Sequence, residues 1–264
     1  MANLKSLSEI RGVNFATHAI EVVGVLNVNA DATVWDDASN LGNYPWDNTW
    51  ELGDKKVTVA STDANDSSAS SGARIVRLFG LDGEGRWISE DVTMSGTFSV
   101  TSTNTFSFIQ EARVQTTGAV NSQYGAITVL YGTYTISTIP SPSGTSPGGR
   151  SRSSVYVVPS NMQGWIGNVW ALWDCAATLS AVGTPTLCRL VVNRARSGKA
   201  KYEPAQMPND RNAKANRTLI EFGPEAVRVE AGDAIELQRS GGGSTQVNIH
   251  TAGYRLELYK IPGQ

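Results

Sequence analysis

Residues 74–129 read RIVRLFGLDGEGRWISEDVTMSGTFSVTSTNTFSFIQEARVQTTGAVNSQYGAITV, a succession of short apolar and β-branched runs broken by turns at nearly even intervals. Ile75, Val76, Leu78 and Phe79 lead into the turn Asp82-Gly83-Glu84-Gly85. Trp87, Ile88 and Val92 follow, and beyond Gly96 come Phe98, Val100, Phe106, Phe108 and Ile109. None of these turns is long enough to hold a crossover helix, so the strands are predicted to form an antiparallel meander.

Outside this stretch the 264-residue chain keeps the same character: it is 40% hydrophobic, rich in Thr, Val, Ser and Gly, and poor in helix formers after its first residues. The expected fold class is all-β, with two antiparallel β-sandwich or jelly-roll-like domains and a short N-terminal arm. A net charge of -2 gives no bulk reason to expect nucleic-acid binding. No apolar run approaches the roughly 18 residues that a membrane-spanning helix requires. The opening MANLKSLSEIRG lacks the apolar core of a secretion signal, so synthesis in a cytoplasm is expected.

Composition shifts suggest four segments: an arm over 1–20, a first β-sandwich domain over 21–138, a linker over 139–154, and a jelly-roll-like domain over 155–264. The linker, IPSPSGTSPGGRSRSS, combines Pro, Gly and Ser. The arm carries Leu4, Leu7 and Ile10 in a short helical patch, which either frays or orders on a partner. Residues 27–54 place Trp35, Tyr44, Trp46 and Trp50 among aspartates. Such tryptophans either offer a platform for sugar rings or staple a long loop to a sheet, and the second is the commoner use. Residues 61–72, STDANDSSASSG, read as a polar linker or loop tip.

In the second domain, Trp165, Gly167, Val169, Ala171 and Trp173 alternate with Ile166, Trp170 and Leu172. Both faces of this strand are apolar. A sandwich core would cover one, and a subunit interface is the simplest cover for the other. Residues 193–217 gather Arg194, Arg196, Lys199, Lys201, Arg211, Lys214 and Arg217. This reads as a solvated loop rather than a nucleic-acid contact, because aromatic interleaving is lacking. The turn Val229-Glu230-Ala231-Gly232-Asp233 before Ile235-Glu236-Leu237 is a common way to re-enter a sheet, with Gly232 taking a positive φ. The strand order in this half suggests a jelly roll, and assembly through sheet faces and edges makes a homotrimer the expected state.

Chemistry is sparse. The chain has no G-x-S-x-G elbow, H-E-x-x-H pair or phosphate-binding glycine loop. Its two cysteines, Cys175 and Cys188, could face each other across a hairpin, but reduced buried thiols are expected without a secretion signal. The Asp82–Gly85 loop lacks the later ligands of a calcium loop and reads as a hairpin turn. The chain is therefore expected to be no enzyme and to carry no cofactor or metal.

A family pattern runs through these residues. Gly80-Leu81-Asp82, Ile88-Ser89-Glu90-Asp91-Val92-Thr93, Gly96-Thr97, Val100-Thr101-Ser102-Thr103-Asn104-Thr105-Phe106 and Ile109 precede Gly125-Ala126-Ile127-Thr128-Val129. A second set comprises Tyr156, Val158, Pro159, Gly164 and Ile166. The pattern resembles that of virion structural proteins of tailed phages, especially marine and cyanobacterial ones, over most of residues 73–261. The resemblance implies an oligomeric virion component, assembled in the host cytoplasm, whose partners are its own copies and other virion proteins such as the major capsid protein. Capsid decoration as a cementing homotrimer is the first expectation. A tail or fibre component and a carbohydrate-binding module are the alternatives, with a host glycan ranked below virion partners. The residues expected to make contacts are Leu4, Leu7, Ile10, Trp35, Tyr44, Trp46, Trp50, Trp165, Trp170, Trp173, Arg194 and Arg196. The insert at 27–54 and the basic loop at 193–217 depart from the pattern, and no catalytic residue transfers with it.

Overall fold

The computed structural model describes residues 18–24, 36–37, 55–142, 149–151, 155–175, 187–193, 202–208, 215–223, 227–240 and 247–261. The regular elements in them are all strands. In chain order they are β1 (His18–Gly24), β2 (Asp36–Asp37), β3 (Thr58–Ser61), β4 (Ala73–Leu81), β5 (Trp87–Thr93), β6 (Val100–Thr101), β7 (Phe108–Thr117), β8 (Ile127–Tyr131) and β9 (Tyr134–Ile139). They continue with β10 (Val155–Val157), β11 (Met162–Cys175), β12 (Leu187–Asn193), β13 (Tyr202–Pro208), β14 (Ala215–Glu221), β15 (Arg228–Val229), β16 (Ala234–Ser240) and β17 (Val247–Lys260). The protein is all-β with antiparallel sheets, as the composition predicts. The helical patch around Leu4, Leu7 and Ile10 lies outside the described residues.

Two compact units divide the chain: Met1–Ala38 with Tyr156–Gln264, and Ser39–Val155. The division differs from the segments read along the sequence, because β1 pairs with β17 from His18↔Leu258 to Gly24↔Ala252. Residues 21–38 therefore belong with the C-terminal unit, and Ser39–Val155 is an insertion behind its first strands. Local composition could not show this, since the partner of β1 lies more than two hundred residues away in sequence.

In the C-terminal unit one sheet has the order β1-β17-β11-β14 and the other β10-β16-β12-β13, with β15 added beside β11 and β2 beside β16. Counting only the long-path strands, the first sheet takes them as first, eighth, third and sixth, and the second as second, seventh, fourth and fifth. That is the jelly-roll arrangement of two interlocked Greek keys. The core between the sheets is formed by Ile166, Val169 and Ala171 of β11, Leu190 and Val192 of β12, Ile235 and Leu237 of β16, and Ala252, Tyr254, Leu256 and Leu258 of β17. Each fully buried Leu or Ile contributes about 1.5–3 kcal/mol. Tyr254 also donates its hydroxyl to the Ile235 carbonyl at 3.3 Å, linking the two sheets. Burial pushes the Tyr156 phenol above its ordinary range. Cys188 is buried in this core.

The segment read as a basic loop contains β13. Its YEPAQMP sequence carries Pro204 and Pro208, which argue against a central strand. β13, however, is the outer neighbour of β12, and its register slips between Leu190 and Val192, opposite Pro204. An edge position with an irregular register tolerates a residue that has no N–H. The Glu230–Asp233 turn forms as expected: Gly232 has φ 81°, Asp233 N–H donates to the Glu230 carbonyl, and Glu230 N–H donates to the Asp233 carboxylate, both at 2.9 Å.

The inserted unit has one sheet of order β6-β3-β8-β9 and another of order β5-β4-β7. Residues 74–129 are therefore not one meander: β4–β5 is a hairpin, but β7 returns to the other edge of β4, and β6 and β8 flank β3 in the second sheet, because these pairings are set by distant segments. Its buried side chains include Val59, Val76, Leu78, Phe106, Phe108, Ile127, Val129 and Ile136. The family pattern quoted above acquires physical meaning here. A Cβ on Gly80 would lie 2.0 Å from the Phe108 carbonyl oxygen, because the β4–β7 register slips between Phe79 and Gly80 and brings the two backbones together. The Glu90 carboxylate accepts the amides of Thr103 and Asn104 at 2.6 and 2.8 Å. Ser102 Oγ accepts Val57 N–H and donates to the Asn104 carbonyl. Thus the ISE segment on β5 clamps the TSTN turn through charge-assisted hydrogen bonds.

Residues 61–72 are an ordered loop rather than a linker. Asp66 is fully buried, and its carboxylate accepts hydrogen bonds from Ser61 Oγ at 2.6 Å, Ala73 N at 2.8 Å, and Tyr124 N and Gly125 N at 2.9 Å. Its main-chain carbonyl accepts Gly96 N–H at 2.7 Å. One residue, through its side chain and its carbonyl, therefore ties three loops together. The distal end of the expected linker is also docked: Ser151 N–H donates to the Ala112 carbonyl, Ala112 N–H donates to Ser151 Oγ, and Arg150 pairs with Glu111 at 2.8 Å.

Candidate interaction surface

Strand β11 carries the described part of the expected contact surface. Its alternation is not strict, because the β11–β17 register slips between Ile166 and Asn168 and leaves Gly167 as the extra residue. The bulge changes the parity of the strand. Ile166, Val169 and Ala171 all enter the core, so Trp165 and Trp170 share the outer face instead of falling on opposite faces. Phe222 N–H donates to the carbonyl of Gly167 at 2.9 Å, and Ile166 N–H to that of Val227 at 3.0 Å. These bonds let β14 and β15 line the same edge of β11 in turn. Gly164 is required by packing, since a Cβ there would lie 1.9 Å from the Glu257 carbonyl oxygen.

On the outer face Trp165 stacks on Tyr259, with ring centroids 4.9 Å apart and planes at 23°. This stack leaves Trp165 almost buried. Trp170 stands between Gly253 of β17 and Leu219 of β14 in the register; it is half-buried, and Leu219 is 44% exposed. Charges of both signs border these apolar groups. Arg255 pairs with Glu257 at 3.0 Å, and Arg228 donates to Gln163 Oε1 at 3.1 Å and lies 3.7 Å from Glu230. Aromatic and Arg side chains around an apolar centre are the composition of a protein contact surface.

The second sheet holds a polar row that the sequence did not reveal. Glu236 and Gln238 alternate with core residues Ile235 and Leu237, yet both are buried. Gln238 Nε2 donates to Glu236 Oε2 at 2.9 Å, and Arg189 Nε and Nη2 donate to Gln238 Oε1 at 2.9 and 2.8 Å. Period-two alternation places these side chains on the face opposite the core, and they are buried there nonetheless.

Among the other residues expected to make contacts, Leu4, Leu7, Ile10, Trp35, Tyr44, Trp46, Trp50, Arg194 and Arg196 lie outside the described residues, as does the side chain of Trp173. The Asp82 loop is a hairpin turn. Asp82 Oδ1 accepts Glu84 N–H and Arg86 N–H, Oδ2 accepts Arg86 Nε, and Arg86 also pairs with Glu84 at 2.8 Å. Burial pushes the Asp82 carboxyl up, but the backbone and side-chain hydrogen bonds from Arg86 outweigh it and hold the group below its ordinary value. Among the described residues no cluster of three His, Cys, Asp or Glu side chains could hold a metal ion.

No protein-family model matches the chain, and no curated protein does. Among solved structures, that of the infectious bursal disease virus Gx strain aligns at 12% identity, over 95% of this chain and 70% of that one, with a TM-score of 0.24. The VP2 subviral particle of the same virus aligns at 12% identity, over 94% and 80%, with a TM-score of 0.13. Scores this low do not establish a common fold, and neither alignment adds to what the strand order already shows.

Proposed function

We propose that the protein is a non-enzymatic structural component of a phage virion, decorating and cementing the capsid as a homotrimer. The observation that carries this reading is the outer face of the β1-β17-β11-β14 sheet. It is a jelly-roll face with a half-buried Trp170, an exposed Leu219 and charges of both signs at its border. Jelly rolls serve capsids and lectins alike, so the fold supports the reading by analogy only. The resemblance of the GLD, ISExVT and VTxTNxF segments to tailed-phage virion proteins supports it independently. Cementing needs many modest contacts acting together, which a multivalent β-trimer supplies through effective concentration.

The test combines solution mass with capsid binding. A trimer is expected, and Leu219→Glu together with Trp170→Glu is expected to dissociate it while leaving β-sheet circular dichroism intact. Purified protein is expected to bind undecorated capsids and raise their melting temperature. A monomer in solution would remove the trimer. Protein that ignores capsids but adsorbs to host cells would replace decoration with a tail or fibre role.

A further inference from the structure

Three loops of the inserted unit meet around Asp66, and their exposed surface has an unusual composition. Beyond the hydrogen bonds to Asp66 described above, Ser67 bridges to Ser95, Ser68 N–H donates to the Met94 carbonyl at 3.0 Å, and Gly118 N–H to that of Gly72 at 2.8 Å. Val120 N–H donates to the Ser71 carbonyl at 3.1 Å, and the Tyr124 hydroxyl lies 3.3 Å from Ser71 Oγ. These contacts make one rigid end out of residues 61–72, 94–99 and 118–125. Among the described residues five large hydrophobic side chains are exposed, and three of them are here: Phe98 at 75%, Val120 at 44% and Tyr124 at 43%. Phe98 closes the Gly96-Thr97 turn, its N–H donating to the Ser95 carbonyl at 3.2 Å, while its ring stands in solvent.

The same surface is almost without charge. The three segments contain no Lys, Arg, Glu or His, and their charged groups are Asp63 and Asp66. Asp66 is buried, and Asp63 Oδ1 is engaged by the backbone and side chain of Asn65 at 2.8 and 3.0 Å. The neighbouring Arg74 turns its Nε onto the Ser70 carbonyl at 2.9 Å. Exposed polar groups here are hydroxyls and amides, including Ser68, Thr97 and Asn121, and Asn121 is held at φ 54°.

From this juxtaposition we propose that the Asp66-centred loop end binds a neutral glycan. A phosphate backbone or an anionic membrane needs Lys and Arg, which are missing. A protein contact surface is typically enriched in Arg, also missing here. A neutral sugar needs what is present: aromatic rings for its C–H faces, and hydroxyl and amide groups that both donate and accept. The rings sit on loops fixed from below by buried Asp66, the Tyr124 loop through its carboxylate and the Phe98 loop through its main-chain carbonyl, so little ordering is required on binding. This site belongs to the inserted unit and the outer face of β11 to the other unit, and the proposal does not depend on the assembly role proposed above.

Affinity electrophoresis of the full-length protein through gels containing dextran, mannan or galactan, with polysialic acid as the anionic contrast, tests the proposal. Retardation by at least one neutral polysaccharide is expected. Tyr124→Ala and Phe98→Ala are each expected to weaken it about tenfold, and Trp87→Ala, an exposed aromatic at the far end of β4–β5 from these loops, to leave it unchanged. Both loop side chains are exposed, and unchanged circular dichroism checks that the variants fold. The proposal is overturned by mobility that no neutral polysaccharide alters, by retardation that survives both loop substitutions, or by retardation in polysialic acid alone.

Discussion

Replacing Asp66 tests whether the loop end is built as described. In Asp66→Asn one carboxylate oxygen becomes an NH2 group. If the amide oxygen keeps Ala73 N–H and Tyr124 N–H, the NH2 faces Ser61 Oγ and Gly125 N–H, which are now at 2.6 and 2.9 Å from Oδ2. Serine can rotate and accept, but the Gly125 amide cannot, so one buried N–H is left against another donor. The remaining bonds lose their charge assistance. A hydrogen bond to a charged group contributes about 1.5–3 kcal/mol and an orphaned buried donor costs about 1–3 kcal/mol. With rearrangement allowed, the expected destabilisation is about 2 kcal/mol. Asp66→Ala strands all four donors and is expected to cost about 4 kcal/mol, the upper part of the range for single substitutions. Amide hydrogen exchange of the full-length protein reads this locally: at roughly 1.4 kcal/mol per tenfold, Asp66→Asn should reduce protection of Ala73 and Gly125 about 30-fold. Exchange in β17 should not change. A reduction under twofold at both amides would refute the assignment of Asp66 as the tie between these loops.

Other perturbations have equally definite outcomes. Gly80→Ala and Gly164→Ala, which drive a Cβ into the carbonyl oxygens of Phe108 and Glu257, should each lower the urea midpoint by the equivalent of about 2–4 kcal/mol, whereas Gly167→Ala on the same strand as Gly164 meets nothing within 4 Å and should stay within about 0.5 kcal/mol. The Arg77 guanidinium, bonded to Asp91 at 2.6 and 2.7 Å, holds the Asp91 carboxyl below its ordinary value, and Asp82 is depressed as well. Because both folded values lie below the unfolded value of about 3.9, their stabilisation is fully present above that pH and is lost as pH falls through the folded values. A pH series of β4–β5 exchange should show this loss, and Asp82→Asn with Asp91→Asn should flatten it. Deleting residues 1–24 removes β1 and should lower exchange protection along Val247–Lys260 while leaving Ala73–Leu81 unchanged; the opposite pattern would contradict the division into units.

The strands and hairpins of the inserted unit were legible, but not its sheet order, because only β4–β5 and β8–β9 join consecutive strands. The spacing of turns in residues 74–129 specifies antiparallel neighbours such as β4 and β5, whose register runs from Ile75↔Thr93 to Leu81↔Trp87 across a short turn. Gly232 was readable for the same reason, since a turn constrains φ locally. Tyr202–Pro208 was not legible as a strand, because its prolines are permitted only by an edge position that other strands create. Glu236 and Gln238 gave no sign of burial, as the covering of a sheet face is not a property of the strand that bears them. Asp66, within a serine-rich run, looked like loop solvent contact. Its four donors come from segments up to 59 residues away.

The sequence by itself determined the all-β class and close hairpins such as β4–β5, since apolar periodicity and turn chemistry act over a few residues, whereas the single meander it suggested is divided between two sheets. Tertiary structure alone decided that β1 closes the jelly roll against β17, that Ser39–Val155 is an insertion, and which tryptophans share a face of β11. The physical reason is common to all three. Strand partnership and bulge position are set by hydrogen bonds to distant segments, and one slipped residue at Gly167 is enough to exchange the inside of a strand for its outside.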